Sequence, residues 1–451
     1  MAETARLTGF IADTEFSDIP TDAIESAKPA IRDYLGVAVF GSHHAVGDRL
    51  SEYVDRFEPG DQATVFGRGT ASATGAALAN GGFGHAVDYD DTFESIVIHP
   101  TSPTFPAALA AAELIDGTGQ DVVTGYLLGV ETAFRIGHAT YPSHYDQGFH
   151  ATGTIGTFGG AAAAGAMLGL SGSEIEHAFG IAASSSSSLK KNFGSMTKPY
   201  HAGHAAEMGL RAALLAKDGF TADPEILEGP IGYGAVMTPG GDYDPAEITD
   251  QLGSDWAVHD IGFKPYPSGV ITHAAMEALR RIVIEQALEP SDVDRIVVTL
   301  DDAATEMLHH KQPADALQAK FSIEFCLAAI LLERDVDIHA FTDEYVQADR
   351  TQSTLQIVER AFEPNLFGDE FAGYGGRVVV QTVDGEEFIA EERRAPGGPS
   401  NPIDEQRWND KFETCVGTVL GDEQVETLKR VIDDIEDIGS VADLTSAVTP
   451  E

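Results

Sequence analysis

The chain has only two cysteines, Cys326 and Cys415, in 451 residues. Both fall in apolar helical patterns and read as buried structural thiols. Two isolated thiols exclude a disulfide framework, a zinc ribbon and a cysteine-held iron–sulfur cluster. Basic residues are scarce as well, 28 Lys+Arg against 72 Asp+Glu for a net charge of −44. That leaves no basic patch for nucleic acid or for an anionic membrane surface. Charge or glycine interrupts every apolar run before the ~18 residues of a membrane span. The opening Met-Ala-Glu-Thr-Ala-Arg lacks the basic and apolar regions of a signal peptide. Together these absences predict a cytoplasmic protein.

What is present is an ordinary globular composition. Hydrophobic residues make up 43% of the chain, so the negative charge does not signal disorder. The acids are dispersed rather than gathered in a tail, as in a protein kept soluble by an acidic skin in a high-salt cytoplasm. The length predicts two domains or more. From Gln147 to Lys217 the charge balance inverts, with Lys190, Lys191, Lys198, Arg211 and Lys217 against Glu174, Glu176 and Glu207. A buried, charge-poor helical region accounts for this. So does a pocket for an anionic substrate, in which case the segment lines a cleft of local positive potential.

The first ~250 residues read as successive helices, since apolar residues recur with a period near 3.6. Ile24, Ala27, Ile31, Leu35 and Val39 form one such stripe, and alanine-rich runs follow at 71–84, 106–115, 156–170 and 202–217. Such small residues permit close helix packing. The pattern changes near residue 260. Arg295–Leu300 is strand-like, residues 377–391 form a hairpin about Asp384-Gly385, and helices are expected at 273–287 and 320–333. Ala395–Pro402 breaks regular structure, and two amphipathic helices close the chain. The predicted fold is mainly α. A large all-helical domain is formed by both chain ends (residues 1–258 and 399–451), with a smaller α+β lid domain, residues 259–398, inserted between them.

Three motifs carry chemistry. Asp88-Tyr-Asp-Asp-Thr92 followed by His99-Pro100 puts carboxylates, a hydroxyl and an imidazole within twelve residues, ahead of a loop broken by Pro100 and Pro103. Taken singly, these residues are accounted for by helix capping; together they are the raw material of proton transfer. Gly148-Phe-His150-Ala-Thr152-Gly-Thr enters an alanine helix with Thr152 as its expected cap, and matches no nucleotide-binding fingerprint. Thr197-Lys198-Pro-Tyr-His201-Ala-Gly-His204 and Lys264-Pro-Tyr-Pro-Ser-Gly-Val-Ile-Thr-His273 each set a lysine before proline and histidine. The second stands at the inferred domain boundary, where ligand clefts form.

This ordered set resembles the 2-methylcitrate dehydratase/cis-aconitate decarboxylase (MmgE/PrpD) family over nearly the whole length. The resemblance rests on Gly84-His-Ala-Val-Asp-Tyr-Asp-Asp-Thr92, His99-Pro, Gly148-Phe-His-Ala-Thr-Gly-Thr, Thr197-Lys-Pro-Tyr-His201, Lys264-Pro-Tyr-Pro with Thr272-His273, and Ala319-Lys-Phe-Ser-Ile-Glu. It implies a homodimer with no metal or other cofactor, acting on a small di- or tricarboxylate. Members dehydrate 2-methylcitrate, decarboxylate cis-aconitate or epimerise iminodisuccinate. The catalytic positions it implies are Asp88, Thr92, His99, Lys198 and His273, with His150, Thr152, His201 and Lys264 binding substrate. The chain departs from the pattern at Phe93 and at Ser268-Gly269.

These activities share the handling of a proton on carbon beside a carboxylate. His273 and His99 are the expected base and acid, Lys198 the carboxylate clamp, and Asp88 and Thr92 the orienting groups. The leading expectation is a 2-methylcitrate dehydratase-like hydro-lyase of propionate metabolism, with the decarboxylase and epimerase as alternatives. A metal-dependent hydrolase using His85, Asp88, Asp90, Asp91 and His99 is the rival from another class. A helical binding protein without activity is the third reading.

Overall fold

The computed structural model describes residues 2–241, 243–301, 304, 307–368 and 374–450. The helical body is built from α1 (Thr21–Ser42), α2 (Ala73–Gly84), α3 (Thr101–Glu113), α4 (Gly119–Thr140), α5 (Ala151–Met167), α6 (Gly172–Ser185) and α7 (Thr197–Lys217). Local signals start several of them. Ser72 Oγ accepts from Gly75 N at 3.0 Å to cap α2, and capping boxes open α4 (Thr118/Asp121) and α6 (Ser171/Glu174). Helices α2 and α5 are apolar and buried almost all round, as central helices should be.

Alanine and glycine set their spacing. A Cβ at Gly203 on α7 would strike the carbonyl of Leu78 on α2, and one at Gly209 would lie 2.6 Å from Ala161 N on α5. Helices α2, α5 and α7 therefore approach backbone to backbone. That approach brings the end of α2 and the starts of α5 and α7 to one place, where the chemical motifs lie.

The second module holds a four-stranded sheet made of β3 (Val293–Leu300), β4 (Val358–Phe362), β5 (Gly376–Thr382) and β6 (Glu387–Glu392), in spatial order β4-β3-β5-β6. Ile296, Val298 and Leu300 alternate inward on β3. Helices α8 (His273–Glu285) and α9 (Ile323–Glu333) pack on the sheet. The expected hairpin is present, with Gly385 at φ +85° in its turn. Sequence reading missed β4, which pairs in parallel with β3, because a short half-exposed strand carries little periodicity. Two further strands, β1 (Thr92–Phe93) and β2 (Ile261–Gly262), pair antiparallel and stitch the module to the helical body.

The closing helices α10 (Glu405–Val416) and α11 (Asp422–Asp433) return to α1, followed by a short helix at Ala442–Ala447. Phe412 packs against Gly36, and Lys411 Nζ lies 2.6 Å from Asp33 Oδ1. Both ends of the chain thus build the body, and the fold is mainly α with a smaller α+β region. Cys326 and Cys415 are buried on α9 and α10.

Two local expectations are corrected. The stretch after His99 is a helix from Thr101 onward, because Pro103 falls in the first turn, where a missing N–H removes no helical bond. Thr152 is not the cap of α5. His150 occupies that position, and Thr152 Oγ1 instead accepts from the main-chain N–H of His99 at 3.1 Å.

Candidate active site

Helix α2 ends at Gly84, and the chain then turns sharply through Asp88, which takes φ 55°. Aspartate tolerates the left-handed region better than most residues, and a lysine holds it there. Lys264 Nζ donates to Asp88 O at 3.0 Å and pairs with Asp88 Oδ1. The turn sends the three aspartates to three environments. Asp88 meets Lys264 and Lys198, the latter at 3.2 Å. Asp90 accepts from Ser102 Oγ at 2.7 Å and faces His85. Asp91 accepts from Thr101 Oγ1, which also contacts Tyr126 OH at 2.7 Å.

These environments set the charges. Burial alone would raise the Asp88 carboxyl, but Lys198 and Lys264, aided by His99 and His85, outweigh it and hold it well below the usual carboxylate range. Burial likewise opposes ionisation of Asp90, and His85 and His99 reverse the balance. Asp91 has no cation beside it among the described residues, so burial pushes its carboxyl well up despite the Thr101 bond.

The hydrogen bonds fix the imidazole tautomers. His99 Nδ1 lies 2.8 Å from the carbonyl of Asp91; a carbonyl only accepts, so Nδ1 carries the proton and Nε2 is left as a base. That Nε2 is 4.0 Å from Asp88 Oδ1. His85 Nδ1 lies 2.9 Å from both oxygens of Asp90, and its Nε2 lies 2.7 Å from Lys198 Nζ. His150 stacks on His85 with ring centroids 5.6 Å apart, and its Nδ1 meets His201 Nδ1 at 3.0 Å. Burial holds His85, His99 and His150 below their ordinary range, so all three are neutral at pH 7.

Two further lysines are tuned by burial. It lowers Lys198 to about 8 against the opposing pull of Asp88. It lowers Lys320 to about 7, where Nζ donates to Pro267 O at 3.1 Å and sits 4.5 Å from the Phe341 ring centroid.

Two connected spaces open on this cluster. An inner pocket of about 30 Å³ is bordered by Asp88, His99, His150, Lys198, Lys264 and Phe321. An outer cleft of about 520 Å³ leads to it past Val97, Tyr145, Lys264, Val270, Met307 and Tyr374, which border both. The walls come from the helical body and from the second module. Thr92 lies on the outer cleft, with its Oγ1 3.3 Å from the carbonyl of Ile98. His201 stands behind His150. Thr152 is buried beneath His99.

His273 opens α8 and is fully buried one layer back, where its Nε2 donates to Ser268 O at 3.1 Å and its ring meets Tyr266 edge to face. It borders neither space, and its Nδ1 has no hydrogen-bond partner among the described residues.

The expected positive floor is only partly there. Lys190 and Lys198 line the cleft, whereas Arg211 pairs with Glu207 and Lys217 caps Leu168 O. With the histidines neutral, Lys198 and Lys264 face Asp88 and Asp90, and Lys320, lowered to about 7, adds a partial positive charge. Sequence analysis places His85 and Asp90 only in the rival metal-site set, and leaves Lys320 out of the site. Each sat inside a motif already singled out, but nothing in the spacing aimed it inward.

Among the described residues, His85, Asp88, Asp90 and His99 bring their donor atoms within metal-ligand spacing, as do His85, His99 and His150. Asp91 belongs to neither group, because it turns away to Thr101. The donor atoms of His85 and Asp90 face each other and Lys198, and Asp88 Oδ1 holds two ammoniums, so this arrangement suits an anion better than a cation.

The family model described as MmgE/PrpD N-terminal domain matches residues 5–246, and the MmgE/PrpD C-terminal domain matches residues 266–437. A human protein named cis-aconitate decarboxylase is 27% identical over 437 residues, covering 94% of this chain and 89% of its own. The cis-aconitate decarboxylase of Aspergillus terreus is 26% identical over 471 residues, covering 99% and 94%. A cis-aconitate decarboxylase-like protein of Aspergillus oryzae is 26% identical, covering 99% and 97%.

Proposed function

Because the chain belongs to the MmgE/PrpD family, we propose that it is a lyase that decarboxylates cis-aconitate or a closely similar unsaturated tricarboxylate. The hydro-lyase reading favoured by sequence gives way because the similar curated proteins carry the decarboxylase name. The observation that supports the reading best is the inner pocket, where Lys198, Lys264 and the free Nε2 of His99 border one small space.

In the reaction the bond from carbon to one carboxylate breaks and CO₂ leaves. The electron pair left behind shifts through the double bond onto the carbon beside a second carboxylate, and a proton then adds there. Lys198 and Lys264 hold carboxylate oxygens and stabilise the charge as it moves. Two atoms bordering the inner pocket can carry the proton, His99 Nε2 and Lys198 Nζ. The pocket admits one end of the substrate, and the remainder lies in the outer cleft. A polyanion entering the pocket raises the proton affinity of His99, so binding brings the proton that the reaction consumes. Asp88 keeps the two lysines apart and in place.

The test is CO₂ release and product identification by NMR with cis-aconitate, 2-methylcitrate and iminodisuccinate in parallel, in high-salt buffer. One CO₂ released per cis-aconitate consumed supports the reading. Turnover of 2-methylcitrate without cis-aconitate decarboxylation would replace it by the hydro-lyase, and inertness toward all three would overturn it.

A further inference from the structure

One buried chain of hydrogen bonds is left over by this mechanism. Ser102 Oγ donates to Asp90 Oδ2 at 2.7 Å, Asp90 lies 2.9 Å from His85 Nδ1, and His85 Nε2 lies 2.7 Å from Lys198 Nζ. His85 is 1% exposed and Asp90 and Ser102 are 0% exposed. Neither His85 nor Asp90 borders the inner pocket, so neither touches a ligand there.

We infer that Asp90 and His85 form a positioning relay that fixes the orientation and charge of Lys198, the lysine assigned above to the substrate carboxylate. The inference rests on that assignment and extends it to two residues outside the pocket. A carboxylate only accepts, so Asp90 forces the proton of His85 onto Nδ1 and leaves Nε2 as an acceptor. The other tautomer would turn an N–H against the Lys198 ammonium. Lys198 has three N–H donors. His85 takes one and Asp88 Oδ1, at 3.2 Å, takes another, which leaves the third for a ligand in the pocket that Lys198 borders. A carboxylate in the place of His85 would neutralise the ammonium. A neutral imidazole orients it and leaves its charge for the substrate.

Lys198 is surrounded on every side by groups that share in its titration. His201 stands on its own helix, and Asp88, Asp90 and His99 lie on the loop after α2. His150 caps α5, Lys264 follows β2, and Lys320 precedes α9. The test therefore changes His85 alone. The full-length protein and its His85→Asn and His85→Gln variants are treated with cyanate, a three-atom anion that carbamoylates neutral amines. Modification of Lys198 is followed by mass spectrometry from pH 6 to 10. Asparagine is too short to reach Lys198, whereas glutamine returns an acceptor near the position of Nε2.

Losing a hydrogen bond to a charged donor should move the Lys198 midpoint down by about one pH unit in His85→Asn, and His85→Gln should return it toward the parent value. Turnover of cis-aconitate should fall about 10²-fold in His85→Asn, the scale of a misplaced reacting group, mainly in kcat. It should be partly restored in His85→Gln. An unchanged Lys198 midpoint in a folded His85→Asn variant overturns the relay whatever the reaction. A shifted midpoint in a protein inert toward cis-aconitate supports the relay and removes the decarboxylase reading instead.

Discussion

Lys264 is the residue whose loss should be felt most widely. It is 2% exposed and holds Asp88 twice, through the carboxylate and through the main-chain carbonyl of a residue at φ 55°. Lys264→Met keeps the length and apolar stem of the side chain but leaves the Asp88 carboxylate buried with Lys198 alone. Removing one partner of a buried ion pair costs about 3–5 kcal/mol, because the other charge stays buried. At about 2 cal/mol/K of unfolding entropy per residue, 451 residues convert this into a fall in Tm of about 3–5 °C. Adding Asp88→Asn should recover part of the loss, since asparagine also tolerates the left-handed region and removes the stranded charge. The sign with pH follows from the depressed Asp88 carboxyl. Its contribution is present above the unfolded value of about 3.9 and is lost as pH falls toward the lower folded value, so parent and variant should converge in acid. Calorimetry on the parent, both single variants and the double variant at pH 7, and on the parent and Lys264→Met down to pH 3, reads this directly. A Lys264→Met variant melting within 1 °C of the parent at pH 7 would refute the argument.

The acidic surface predicts that Tm rises with KCl, since the Debye length shrinks from about 10 Å at 0.1 M to about 3 Å at 1 M; a flat Tm across that range would show that self-repulsion is not destabilising. With Lys198 lowered to about 8, kcat/KM for the carboxylate substrate should decline as pH rises through that value. Lys198→Arg, charged throughout, should lose this alkaline limb whatever its absolute rate, and a limb that survives the substitution belongs to another group. Dialysis against a chelator should leave turnover intact, whereas loss restored by stoichiometric metal would point to His85, Asp88, Asp90 and His99 as ligands.

Much of this organisation was legible in the residues. The helical periodicity, the change of pattern near 260, the hairpin at Asp384-Gly385 and the amphipathic pattern of the closing helices are local signals, and the structure has them. The parallel strand Val358–Phe362 was not, because its pairing with Val293–Leu300 is settled by tertiary contact. In the site, the motifs named most of the participants but not their directions. Three aspartates within four residues look equivalent in sequence, and the backbone turn at Asp88 gives them three different partners. For the same reason His85 reads from sequence only as a candidate metal ligand, and Lys320 does not stand out as a site residue. Thr152 read as a cap from its place in a glycine/threonine run, and the structure uses it to hold His99 instead. Helix packing decides such assignments, and spacing does not encode them.

The buried lysine of the closing helix carries a consequence for biosynthesis. Lys411 Nζ donates to the carbonyl of Tyr89 at 2.7 Å and pairs with Asp33, which braces the turn that carries Asp88 from behind. The brace lies more than 300 residues downstream of that turn. A nascent chain on the ribosome can assemble its first helices early, yet the Asp88 turn lacks this support until the segment carrying Lys411 has emerged. Maturation of the reactive cluster is thereby coupled to synthesis of the helix Glu405–Val416. Nascent chains that stop short of Lys411 should bind ligand more weakly than longer chains that include it.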